Sequence, residues 1–309
     1  MTKADKPARE AEQAVKSCYS TWSGTYYDEY YRSEAAYPPV HVGIVRDLLV
    51  AAGARSVLDA GCGPASMLRE LADLNLDRYG FDLTPQMVAE AKRVLAPQGV
   101  PDANVWEGSV TDPSAFRALA GGGYDAALCF GVLPHIRPED DRRVIENLAR
   151  AVRPGGLVMV EARNQLFALF TLNRYSRDLF HDALIDLDAL RRQASAEELP
   201  KLEQALALLD ARFRLDLPPV RTGKAGEPGY DEVLSRTHNP LVLRELAATL
   251  GLADVEILFY HYHCLPPLAE SSVPRLFRAA SLAMEDPRDW RGHFMASAFI
   301  LAGRKAAEP

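Results

Sequence analysis

The chain has 309 residues, 48% of them hydrophobic and 25% charged, which suits one large globular domain or one domain with an insertion. Its formal net charge of −7 argues against a nucleic-acid partner, because phosphate-backbone binders carry basic surfaces. Cys18, Cys62, Cys129 and Cys264 form no CxxC pair, which excludes a disulfide framework or a zinc finger and points to the reducing cytoplasm.

Residues 1–16 read as a polar lead with no apolar core, so no secretory signal is expected. No run approaches the roughly 18 apolar residues that cross a bilayer, and no membrane insertion is expected. Residues 18–37 are dense in tyrosine; with the lead they make a helical and aromatic N-terminal cap segment, 1–37, or simply a packed amphipathic helix. "PPVHVGIVRDLLVAAG" predicts a helix, with Val42, Val45, Leu48 and Leu49 at helical spacing and Gly53 as its terminating glycine. An alternation of strands and helices follows. "SVLDAG", "RYGFD", "ANVWEGSV" and "YDAALCFGVL" read as strands, the last entered from Gly121-Gly122-Gly123. Between them "SMLRELADL" and "TPQMVAEAKRVL" read as helices, the second with Thr84 as N-cap and Pro85 at its first position. "PEDDRRVIENLARAV" is a helix with acids first and bases last, as the macrodipole favours, and "RPGG" turns the chain into a fifth strand, "LVMVEAR".

The rhythm stops at Asn164. Residues 165–230 read as a mostly helical insertion, with Leu199, Leu202, Leu206, Leu209 and Phe213 at helical spacing and a loop rich in Pro and Gly, "DLPPVRTGKAGEPGYDE", leaving it. It offers either a lid over an acceptor pocket or a homodimer contact. "NPLVLRELAATLG", "VEILFYHYH" and "HFMASAFILAGRK" then give a helix and two strands. Residues 38–164 and 231–309 together predict an α/β domain, a doubly wound and mostly parallel sheet with crossover helices.

The stretch "VLDAGCGPAS" carries the first chemistry. Gly61, Cys62 and Gly63 follow the first strand directly, where a residue without a Cβ lets backbone approach a ligand. Asp82 ends the second strand, 23 residues after Asp59, a place that suits a grip on a ribose diol; its bland alternative is a helix cap with Thr84. A dinucleotide fingerprint wants a small residue at the sixth position from Gly61, where Ser66 stands. A carboxylate at Asp59 is awkward beside a pyrophosphate and well suited to a ligand carrying an ammonium and a sulfonium.

At these residues the chain resembles the class I S-adenosylmethionine-dependent methyltransferases that act on small molecules. Asp59, Gly61 and Gly63 match the family's acid-x-Gly-x-Gly-x-Gly motif, with Ala65 in place of its third glycine. "GFDLTPQM" matches the second motif. The resemblance implies a seven-stranded Rossmann-like sheet, Asp82 on the ribose hydroxyls, and Leu83 and Met87 beside the adenine. In the third motif, Gly108-Ser109-Val110, Ser109 stands where the family has an acid for the adenine amino group, so a hydroxyl or a backbone carbonyl would accept that hydrogen bond. Phe130 of "LCFGVLPHI" would pass beneath the methionine part, and Tyr26, Tyr27 and Tyr31 would fold over it. The likeness covers residues 22–163 well and the last two strands loosely. It does not extend to the insertion.

Alignment and water exclusion are what such a donor requires of a protein, with a base for a hydroxyl or ammonium acceptor. His135, after the fourth strand, is the candidate base; its alternative is a loop contact. Arg163 and Asn164, His238 in "RTHNP" and His261 in "FYHYHC" are the candidate acceptor-binding residues. His261 and His263 at alternate strand positions share a face, but no acid sits beside them and no metal is expected. The expected activity is methyl transfer from S-adenosylmethionine to a small molecule, at a hydroxyl oxygen of a sugar or secondary metabolite, leaving S-adenosylhomocysteine. Small-molecule N-methylation, a nicotinamide-dependent oxidoreductase and a non-catalytic cofactor-binding subunit are the alternatives.

Overall fold

Seven strands share one sheet in the order β3-β2-β1-β4-β5-β7-β6 in the computed structural model, which describes residues 8–21, 26–31, 38–119, 122–218 and 233–307. The strands are β1 (Ser56–Ala60), β2 (Asp77–Asp82), β3 (Val105–Glu107), β4 (Tyr124–Cys129), β5 (Val152–Arg163), β6 (Leu252–Tyr262) and β7 (Ala296–Lys305). Pairings among β1 to β5 are parallel, and β7 runs antiparallel between β5 and β6. The order reverses between β1 and β4, and in open sheets of this kind that switch point opens a crevice at the carboxyl ends of the strands.

Every residue of β1 is buried, which is why it reads as an apolar run rather than an alternation. Leu58 packs to one side with Phe81, Ala127 and Val158, beneath α6 (Asp141–Ala151) and α11 (Pro240–Thr249). Val57 packs to the other with Ala126, Leu128 and Met159, beneath α3 (Val40–Ala51), α4 (Ser66–Glu70) and α5 (Pro85–Leu95). On α3 the buried residues are His41, Val42, Val45 and Leu49, the apolar three at the spacing the sequence predicts. Each fully buried leucine contributes about 1.5–3 kcal/mol, so both layers are strongly held to the sheet.

Several elements end sooner than the sequence suggests, for local reasons. The predicted "SMLRELADL" helix stops at Glu70. Arg46 from α3 takes the Glu70 carbonyl at 2.7 Å and holds Asp73 through both guanidinium nitrogens, while Leu74 N–H turns back to Leu71 O. The helix thereby loses the acceptor its next turn would need. Thr84 occupies the N-cap position of α5 with Pro85 following, but its side chain makes no cap bond; the Asp82 carboxylate accepts the Thr84 N–H instead, at 2.8 Å. "RPGG" lies within β5 rather than before it, where the register with β4 jumps from Tyr124↔Val152 to Ala126↔Leu157.

The described part of the insertion is mostly helical. α7 (Ala168–Thr171), α8 (Arg174–Leu179), a π-helical turn at Phe180–Leu184, α9 (Leu187–Gln193) and α10 (Leu199–Asp210) make it up. Phe213 lies beyond α10 and packs on Phe180 at 5.7 Å. Most of the loop leaving the insertion, residues 219–232, lies outside the described residues, as do Trp22, Gly121 and residues 1–7. Before the sheet, α1 (Ala8–Tyr19) and α2 (Tyr26–Tyr30) form the described part of the N-terminal segment. Among the described residues no helix is long and apolar enough to cross a membrane.

Candidate active-site cleft

The carboxyl ends of β4, β1, β2 and β3 lie side by side in that order, and a cleft of about 1160 Å³, partly open to solvent, runs along them. Three inter-strand gaps make this edge about 14 Å long. All thirteen residues predicted to hold the cofactor line it: Tyr26, Tyr31, Asp59, Gly61, Cys62, Gly63, Asp82, Leu83, Met87, Gly108, Ser109, Val110 and Phe130. His135 lines it too.

The glycine loop at the end of β1 is pinned and left-handed. Gly61 and Cys62 both donate to Phe81 O, at 2.8 and 2.9 Å. Gly61 has φ +84°, and a Cβ there would fall 2.4 Å from Val132 Cγ2. Gly63 has φ +52° with nothing within 4 Å of its Cβ position, so open space adjoins the loop. Ala65, in place of a third glycine, also has φ +59°. Its Cβ carries the cost of that conformation.

Asp82 accepts Gly63 N–H at 2.9 Å through one oxygen and Thr84 N–H at 2.8 Å through the other. The helix-cap and ligand-binding readings of this residue are therefore compatible: a carboxylate offers about four lone-pair sites, and two remain. Burial raises its pKa, opposed by these backbone hydrogen bonds. Asp59 is 2% exposed, and its Oδ1 accepts no hydrogen bond among the described residues. Burial, with Asp82 nearby, pushes its carboxyl up to about 7. A buried acid in a cleft, with an oxygen that accepts no hydrogen bond among the described residues, is a place that a cation would complete.

At the β4 end the lining is aromatic. Tyr26 and Tyr31 have pKa values raised well above 10.0 by burial, so both remain neutral donors. Tyr27 is not among the lining residues: its hydroxyl donates to Glu70 Oε1 at 2.6 Å and Arg69 stacks on its ring. His135 is held from both sides. Its Nδ1 lies 2.6 Å from Leu234 O and its Nε2 2.7 Å from Tyr19 Oη. A carbonyl only accepts, so Nδ1 carries the hydrogen and Nε2 presents its lone pair to the tyrosine. Burial lowers the ring's pKa to about 4, fixing it neutral.

The predicted acceptor-binding residues are not among the lining residues. Arg163 donates to Ser235 Oγ. Asn164 is buried and spends its amide on the carbonyls of Gly292, His293 and Ala296 while accepting Leu166 N–H. His238 is buried, with Nε2 3.4 Å from Asp141, and its backbone pairs with Arg163 and Gln165. His261 and His263 do not share a strand face as predicted: His261 has φ +58°, which breaks the alternation, and His263 lies past the end of β6 between Phe167 and Phe277. No described residue of the insertion lines the cleft.

Sequence reading missed the lining residues of α1 and one backbone partner of His135. Ala11, Glu12, Val15 and Tyr19 come from α1, which lies over the cleft. Their signal was the spacing of Ala11, Val15, Cys18 and Tyr19, which defines one helical face. Leu234, which sets the His135 tautomer through its carbonyl, carries no side-chain signal at all.

Residues 57–156 match a family model described as a methyltransferase domain. A ubiquinone biosynthesis O-methyltransferase from Xanthomonas axonopodis is 33% identical over 134 residues, 43% of this chain and 53% of that protein. A magnesium-protoporphyrin O-methyltransferase from Synechocystis is 33% identical over 93 residues, 30% of this chain and 38% of that one. The chain thus spans about half the length, or less, of these relatives. A solved magnesium protoporphyrin IX methyltransferase from Synechocystis, with S-adenosylhomocysteine bound, covers 96% of this chain and 100% of its own at 16% identity, with a TM-score of 0.49.

Proposed function

Since the chain carries a class I S-adenosylmethionine-dependent methyltransferase domain, we propose that it transfers a methyl group from S-adenosylmethionine to a hydroxyl oxygen of a small molecule, a sugar or secondary metabolite. The observation that carries the donor assignment is the unpartnered Oδ1 of buried Asp59 beside the open glycine loop. A pyrophosphate would meet an acid there; an ammonium and a sulfonium would be attracted to it. Asp82 holds the ribose diol through its two remaining acceptor sites, while Leu83, Met87 and Val110 provide apolar surface for the base. Bound there, S-adenosylmethionine supplies a methyl group already activated by its sulfonium.

The chain's own work is to align an acceptor, exclude water and take a proton. Tyr26, Tyr31 and Phe130 wall the β4 end with aromatic surface that displaces water. His135 Nε2, neutral and aimed at the Tyr19 hydroxyl, receives the acceptor's proton through that hydroxyl. The tyrosine passes on its own proton as it takes the new one, so charge does not accumulate on the phenol. Leu234 O then stabilises the imidazolium through Nδ1–H.

The helical insertion supports a homodimer contact better than a lid. No described part of it lines the cleft, and Leu184, Leu190, Leu199 and Leu208 are exposed on it. Light scattering after size exclusion reads that state directly.

The donor and acceptor readings are tested together. Thermal shifts with S-adenosylhomocysteine and with nicotinamide dinucleotides are expected to show stabilisation by the first only, and labelled S-adenosylmethionine to label hydroxylated glycosides or polyketides. Stabilisation by a dinucleotide alone, or transfer only to amines, contradicts the corresponding half.

A further inference from the structure

Ser109 is the residue at the β3 end of the cleft where an acid was missing from the sequence, and a carboxylate is nevertheless present. It comes from the other end of the chain's described part. Glu12, on α1, accepts Ser109 Oγ–H at 2.7 Å and Thr111 Oγ1–H at 3.2 Å. Both contacts fall on Oε1, and Glu12 lines the cleft. One helical turn on, Lys16 lies 3.5 Å from Glu107 at the end of β3, so α1 is registered on this edge of the sheet by two side chains.

Position along the sheet says which part of the donor meets Glu12. β2 lies between β1 and β3, and Gly108 N–H donates to Asp82 O at 2.9 Å, so Ser109 follows directly beyond Asp82. A nucleoside whose ribose sits at Asp82 and whose amino-acid part lies toward β1 and β4 must put its base at the β3 end. There the two hydroxyl protons are already shared between Glu12 and the 2.8 Å contact that joins Ser109 Oγ to Thr111 Oγ1, and what remains is an acceptor. An acceptor reads an N–H.

Resting on the donor reading above, we propose that Glu12 accepts the exocyclic amino group of the donor's adenine, so that α1 both covers the nucleoside and selects its base. The family acid is replaced here in space by a residue about one hundred positions earlier in the sequence. A base with a carbonyl in place of the amino group, hypoxanthine, turns an oxygen toward the carboxylate and is rejected.

The test is calorimetric titration of S-adenosylhomocysteine and S-inosylhomocysteine into the full chain and its Glu12→Ala and Glu12→Gln variants. The native protein is expected to prefer the adenosyl compound by about 10–100-fold, the worth of one charge-assisted hydrogen bond. Glu12→Ala is expected to bind both within about threefold of each other, a residual preference below one hydrogen bond's worth. Glu12→Gln, which can turn its amide to face either base, also narrows the gap and guards against a variant whose helix detaches. Full preference retained in Glu12→Ala, or equal binding of the two ligands by the native protein, overturns the role of Glu12 alone. Failure of the native protein to bind either ligand overturns the donor reading and this inference with it.

Discussion

The Tyr19 hydroxyl lies 2.7 Å from Nε2 of His135, joining the cap helix to the turn that follows β4. Because Nδ1 is committed to Leu234 O, the pair has one polarity: tyrosine donates, histidine accepts. His135→Ala is expected to lower kcat by about 10²–10⁴-fold with little change in donor affinity. Tyr19→Phe should cost nearly as much, and the double variant no more than the worse single one, as for residues acting as a unit. Steady-state kinetics and donor titration on the three proteins check this; additive losses would separate the two residues.

The same ring has a pH consequence. A histidine base of ordinary pKa would lose half its activity near pH 6.5. Burial holds His135 at about 4, so no titration of this base is expected in the rate between pH 6 and 8. Any inflection there belongs to another group.

That group is Asp59. Its folded pKa, about 7, lies above the 3.8 of an ordinary aspartate because of burial and then Asp82. A raised acid contributes stability below its unfolded pKa and loses it as pH rises through the folded value, so ionised Asp59 destabilises the ligand-free protein above pH 7. A bound cation favours the ionised form. Donor binding is therefore expected to release a proton below pH 7 and to weaken by up to about tenfold per pH unit as pH falls. Titrations in buffers of different ionisation enthalpy measure that proton. Asp59→Asn should flatten the pH dependence and raise the unfolding free energy of the ligand-free protein at pH 8 by about 4 kcal/mol.

Gly61 supplies a steric test. A Cβ there meets Val132 Cγ2 and must also hold φ +84°. Gly61→Ala is expected to destabilise by about 2 kcal/mol or more, the left-handed backbone accounting for roughly 1–2 of it. Val132→Ala in the same chain should recover the part due to the clash and leave the backbone part. Chemical denaturation of the three variants resolves the two contributions.

How far the sequence carried this reading follows from the range of the interactions. Elements of the sheet were legible because β1 and the helices beside it bury apolar residues at regular spacing. The gathering of Asp59, Gly61, Gly63 and Asp82 on one cleft was legible because local strand-loop-helix geometry brings them together. The positions of Arg163, Asn164, His238 and His261, which do not line that cleft, were not. Arg163 stands at the end of β5 and Asn164 directly after it, as the order of elements implied, but Asn164 is consumed by the carbonyls of Gly292 and His293 before β7 and of Ala296 at its start. Glu12 and Leu234 reach the cleft through contacts about one hundred positions apart, for which a single chain of letters carries no spacing rule.

Beside Asp59, the proposed donor site rests on Asp82, which ties the glycine loop to α5 and keeps two acceptor sites free. Calorimetric titration of S-adenosylhomocysteine into the native protein and into Asp82→Ala is the most direct measurement. Saturable one-to-one binding is expected for the native protein, weakened about 100-fold or more in the variant, the loss of two charge-assisted hydrogen bonds. Equal affinity in the two proteins, or no binding to the native one, would contradict the account.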